Sequence, residues 1–193
     1  MDKRIDRRTF VKAATAGSLA AASLPLLGIK GLADDDGDSR IFVFVSFSQS
    51  PAGKGLTMPR IGMQGAGTFR PEDTSVSGGG SYVLFDNAAA LPKPLVASGR
   101  WTARKFVSYT TTGLASYGTI QPGIVVMKAD VQGIGEDLTL TLVCNVGAVP
   151  LSTGMPEGWF LSGTSYGTFS PLSPSVVGIT HLSVAGFSIG GED

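Results

Sequence analysis

Over residues 137–146 the chain alternates in chemistry with a period of two: Leu138, Leu140, Leu142, Cys144 and Val146 fall on one parity, and Thr139, Thr141 and Asn145 on the other. Successive side chains of a β-strand point to opposite faces, so this spacing predicts a half-buried antiparallel strand. The same period, or a short apolar run bounded by Gly, Pro or Ser, marks further strands at 40–48, 61–69, 81–86, 101–111, 124–131, 158–162 and 178–188. The run at 40–48 is apolar on both parities, as a strand covered on both faces would be. No window after residue 33 carries the 3.6-residue periodicity of an amphipathic helix. The expected fold is therefore all-β, an antiparallel β-sandwich of about seven to nine strands, with a small closed β-barrel as the alternative. The Ser/Gly/Pro stretch 162–175 is expected to be largely loop. The 27 glycines suit turns, bulges and strand corners.

Ahead of these strands stands a segment of different composition. A basic start (Lys3, Arg4, Arg7, Arg8, Lys12) precedes an uncharged, Ala-rich run from Ala13 to Ile29 and a small-residue exit at Gly31 and Ala33. Arg7 and Arg8, with Phe10 two positions beyond the pair and Lys12 closing it, resemble a twin-arginine export signal, although Asp6 stands where that family usually has Ser or Thr. The resemblance covers residues 6–33. It implies export of an already folded chain, with the export machinery and a signal peptidase as partners, cleavage after Ala33, and a periplasmic or extracellular destination. A permanent membrane span is not expected, because Gly17, Pro25 and Gly28 break an apolar run already short against the ~20 residues that cross a bilayer. Residues 34–39 then read as an acidic flexible tether and residues 40–193 as a single all-β domain. Asp34, Asp35, Asp36 and Asp38 lack the spaced ligands and closing Glu of a calcium loop.

Cys144 is the only cysteine, so no intramolecular disulfide can form, and it reads as a small buried hydrophobe. The 193-residue chain carries 15 basic and 15 acidic side chains. Its leader holds six of the basic (Lys3, Arg4, Arg7, Arg8, Lys12, Lys30) and two of the acidic (Asp2, Asp6), leaving 9 against 13. That acidic balance argues against a nucleic-acid partner.

Chemistry-bearing patterns are sparse. Residues 163–167 match the G-x-S-x-G form of a serine hydrolase elbow, but no carboxylate lies between Ser165 and His181, and a Pro/Ser stretch follows where a helix is needed. His181 is the only histidine, so neither a blue-copper centre nor an ordinary catalytic zinc site can be assembled. No cofactor and no metal is implied. A dinucleotide site is not supported either, since the glycines at 62–67 precede no helix.

The remaining catalytic candidates are Glu157, His181 and Asp86, weighed as a carboxylate pair or an acid–base partner. The ligand-binding candidates are Arg100, Trp101, Arg104, Lys105 and Trp159, cations and aromatics that could meet an anionic or sugar ligand. Arg104 and Lys105 are adjacent and should point to opposite faces of one strand. With no coherent catalytic set, the expected function is a non-enzymatic exported β-domain that binds a small ligand or a protein outside the cytoplasm. The alternative is a small β-barrel enzyme, an isomerase or glycan-active hydrolase, using Glu157 or Asp86 with Arg104 or Lys105. A third possibility, self-assembly, rests on the two-sided apolar strand at 41–47.

Overall fold

The computed structural model describes residues 39–111, 120–145, 153–172 and 178–184. The leader, its cleavage point and most of the acidic tether lie outside them, as do the ends of the expected strands beyond Asn145 and Val184. Every regular element described is a strand: β1 (Arg40–Gln49), β2 (Pro59–Arg70), β3 (Ser75–Asp86), β4 (Leu95–Thr111), β5 (Gly123–Val131), β6 (Gly135–Cys144), β7 (Gly158–Thr164), β8 (Gly167–Pro171) and β9 (Gly178–Val184).

Each strand from β1 to β8 pairs antiparallel with the next in sequence, and β8 returns to β1. β1 has hydrogen-bonded neighbours on both sides. On one it pairs with β2 from Arg40↔Phe69 to Gln49↔Arg60; on the other it meets β9 over Arg40–Ser46 and β8 at Ser48 and Gln49. The sheet is thus an eight-stranded up-and-down barrel with β9 continuing the line of β8 along β1. The expected sandwich is replaced by the barrel alternative, because a strand bonded on both sides leaves no pair of free edges between two sheets.

Eight strands enclose a space that side chains alone can fill. Phe42 and Phe44 of β1, Trp101 of β4, Trp159 of β7 and Phe169 of β8 are all essentially buried there. So are Leu138, Leu140, Leu142 and Cys144 of β6, the alternation from which the strand was read.

The glycines of β2 and β3 make room for the largest of these side chains. Gly65 pairs with Gly80 and Gly67 with Gly78, and both pairs face bulky rings. A Cβ on Gly65 would strike the Trp101 indole, and Cβ atoms on Gly67 and Gly78 would lie 2.5 and 2.7 Å from Phe42 Cζ. Here glycine is a packing residue, and β3 runs through the triple glycine from Ser75 instead of beginning after it at Ser81.

Two further expectations are corrected. The stretch 162–175 reads as largely loop, yet within its described part, 162–172, Gly167–Pro171 forms β8, entered by a two-residue turn at Ser165 and Tyr166 between the paired Thr164 and Gly167. Its only large apolar residue, Phe169, supplies the burial that holds the strand. The apolar run in β1 was expected to be covered on both faces, but Val43 and Val45 point outward and are 48% and 52% exposed.

Candidate functional site

Among the described residues the barrel interior is filled by apolar side chains, two of them the candidates Trp101 and Trp159, and the other candidates lie on its wall and ends. Trp101 and Trp159 are sealed into the core. Trp101 Nε1 donates to Gln64 O at 2.9 Å, and Trp159 Nε1 to Ser46 O at 3.3 Å. Asp86 ends β3, where its Oδ1 accepts the backbone N–H groups of Met58 (3.2 Å) and Ala88 (3.1 Å), which makes it a turn cap. Ser165, the serine of the elbow-like motif, lies exposed on the β7–β8 hairpin turn with no helix behind it.

Arg104 and Lys105 do not split between the two faces. The β4–β5 register slips between Ala103 and Lys105, and this bulge turns both side chains outward. Arg104 Nε lies 3.1 Å from Asp130 Oδ2 on β5, in an exposed ion pair. Strict alternation failed here because a bulge leaves no mark in residue type.

Two places bring candidate residues into defined surroundings. The first is an open depression of about 620 Å³ beside the β5–β6 turn, lined by Arg100 and Thr102 of β4 and by Asp130, Gln132 and Glu136. Its shape is fixed by backbone contacts: Gln132 N donates to Arg100 O at 3.0 Å, and the buried Tyr82 hydroxyl donates to Gln132 O. One guanidinium and two carboxylates reach it, with Asp130 already engaged by Arg104 and by the Asp137 N–H. Such a rim can hold a small polar ligand by hydrogen bonds.

The second is the junction of the ends of β6, β7 and β9, where Glu157 is half-buried. Glu157 Oε1 accepts the Thr180 N–H at 3.4 Å. Burial pushes its carboxyl above the ordinary range, against the opposing effects of the Thr180 N–H, the nearby His181 and the Asn145 N–H. Cys144 lies just inside, buried, its thiol likewise raised chiefly by burial. Asn145 orders the adjoining loop: its Oδ1 accepts the Thr153 N–H and its Nδ2 donates to Met155 O, at 2.9 and 2.8 Å. This clamp was not anticipated from the sequence, where an Asn at a strand end looks like any turn residue. His181 is exposed on the outer face of β9, opposite Val43 in the ladder.

Neither this depression nor a shallower one over β1–β3 is lined by Asp86, Arg104, Lys105, Glu157 or His181. Among the described residues, no three His, Cys, Asp or Glu side chains gather closely enough to share a metal ion. The chain matches no protein-family model, no curated protein and no solved structure.

Proposed function

We propose that this chain is an exported, non-enzymatic β-barrel domain that works by binding, its contacts made by the outer wall and rim of the barrel. The observation that carries this reading is the filled interior: Trp101, Trp159, Phe42, Phe44 and Phe169 occupy the space in which a barrel enzyme would hold its substrate. The wall outside them offers the polar depression beside Arg100 and an apolar face around Val45. The leader with Arg7 and Arg8 supports delivery beyond the cytoplasmic membrane in the folded state, which suits a domain with no disulfide to form on arrival.

The enzymatic alternative draws on one observation, the raised carboxyl of Glu157 beside His181. Against it, Arg104 and Asp86 are committed to other partners. A hydrolase and isomerase screen on the purified protein tests the reading, with no turnover expected. Reproducible turnover abolished by Glu157→Gln or His181→Ala would overturn it. Replacing both Arg7 and Arg8 by Lys is expected to hold the chain in the cytoplasm, and unchanged export would remove the proposed address.

A further inference from the structure

The adjacent strands β9, β1, β2 and β3 present an outer face with an unusual charge pattern. Segments 41–47, 62–68, 77–83 and 179–183 lie side by side in register, and among them there is no Asp, Glu, Lys or Arg; of their two ionisable residues Tyr82 is buried inside, which leaves His181 on the outer face. The same face carries Val43, Val45, Val83 and Ile179, which are 48%, 52%, 43% and 55% exposed. Contiguous exposed apolar surface of this kind marks an interaction site on a folded protein.

The face holds both halves of a self-complementary contact. Gly62 leaves room for the Phe47 ring, which a Cβ there would meet at 2.6 Å. Over Gly62 opens a shallow depression of about 190 Å³, walled by Phe47, Val45 and Val83. Ile179, paired with Val45, protrudes two strands away from Gly62, or about 10 Å across the sheet at ~4.8 Å per strand. An isologous dimer requires a patch to contact itself about a two-fold axis, each protrusion entering the other copy's recess.

Charge selects the partner. An oppositely charged surface gains nothing from a face without charge, whereas two such faces meet without like-charge repulsion, and the acidic remainder of each chain stays in solvent. Interspersed Gln64, Ser77 and Ser81 suit a protein interface better than immersion in lipid.

We infer that this face joins two copies of the chain in a reversible two-fold dimer. This rests on the binding reading above and names the partner. Unrolled, these segments cover about 19 by 23 Å, roughly 440 Å², but they wrap half the wall of an eight-stranded barrel, so only part of that area meets one partner, against the ~800 Å² per partner of a stable complex. The dimer is accordingly weak, in the micromolar range.

The test is sedimentation velocity on the protein purified as its cells deliver it, from about 1 to 200 μM. The expected result is a concentration-dependent shift from monomer to dimer. Val45→Asp and the milder Val45→Ser should each weaken association by more than about tenfold. Val107→Asp, at an exposed apolar position of β4 away from this face, should leave it unchanged. Near-UV circular dichroism confirms that each variant is folded, and Val45→Ser stands in should the aspartate variant fail. A wild-type chain that stays monomeric throughout, a Val45→Ser dimer as strong as wild type, an equal loss in Val107→Asp, or Val45-dependent flotation with neutral phospholipid vesicles would each overturn the inference. None of those results produces turnover, so failure here is distinguishable from failure of the binding reading.

Discussion

Gly80 and Trp101 face each other across the β3–β4 ladder, and the indole of Trp101 occupies space that a methyl group on Gly80 would need. A Cβ there would stand 2.7 Å from Trp101 Nε1 and would also strike the carbonyl oxygen of Gln64, the acceptor of that same indole N–H. The bare backbone of one strand and the largest side chain of another are thus one packing unit. It is this pairing that lets an eight-stranded barrel close around indole rings.

Gly80→Ala should therefore destabilise the barrel by about 1–3 kcal/mol, as overpacking of a closed core does, because the atoms in the way include backbone that cannot rotate aside. Urea unfolding of variant and wild type measures the difference. A loss below the error of the method would show that the β2–β3 backbone shifts freely and that glycine is not required there.

Trp101→Phe keeps an aromatic in place but leaves the Gln64 carbonyl without its indole donor. The lost hydrogen bond costs about 1–3 kcal/mol where the carbonyl stays dry, and the smaller ring adds a cavity cost. The same unfolding assay, with Phe106→Leu as a purely apolar comparison, separates the two contributions. Equal losses in both variants would mean that the indole N–H contributes little.

Thr180 is buried on β9, and its Oγ1 has no hydrogen-bond partner among the described residues. Replacing a dry hydroxyl by a methyl of the same shape removes a desolvation cost without opening space, so Thr180→Val should raise stability by about 1 kcal/mol. A destabilised variant would indicate an ordered water bound by the hydroxyl, which ¹H–¹⁵N exchange of the neighbouring amides with water would reveal.

How far the sequence discloses this molecule depends on what each feature needs. The alternation of Leu138, Leu140 and Leu142 against Thr139 and Thr141 is local, and β6 follows from it directly. Closure is not local: whether β1 bonds on one side or two depends on pairings between segments more than a hundred residues apart, such as Ser48 with Pro171. The outward turn of both Arg104 and Lys105 depends on a bulge that their residue types do not encode. Glu157 could be singled out as an acid beside an aromatic in a turn, but its half-buried setting comes from Thr180 and Asn145, which reach it only in the fold. The two-sided apolar character of residues 41–47 is plain in the sequence. That its outer side stays uncovered is a property of the barrel wall.

Cys144 should be inert in the native state. It is buried, and burial pushes its thiol up, away from the reactive thiolate. An aromatic disulfide reagent at neutral pH should label no thiol in folded protein and one per chain after unfolding in denaturant. Rapid labelling of the folded chain would place the end of β6 in an open conformation.

The raised carboxyl of Glu157 gives the last prediction its sign. Burial is the dominant cause, exceeding the N–H bonds from Thr180 and Asn145 and the influence of His181, all of which favour the anion. The folded state therefore holds this proton more tightly than the unfolded chain does. Such a group contributes stability while protonated, and that contribution is lost as pH rises from the ordinary glutamate value of 4.5 through the higher folded value. Glu157→Gln keeps an acceptor for the Thr180 N–H and cannot ionise, so its stability lacks this decline. Urea midpoints for both proteins, taken between about pH 4 and 8, should show the glutamine variant gaining on wild type as pH rises. A difference that stays flat, or that turns toward wild type at neutral pH, would mean that the backbone donors outweigh burial and that the carboxylate is held as a stabilised anion at the β6–β9 junction.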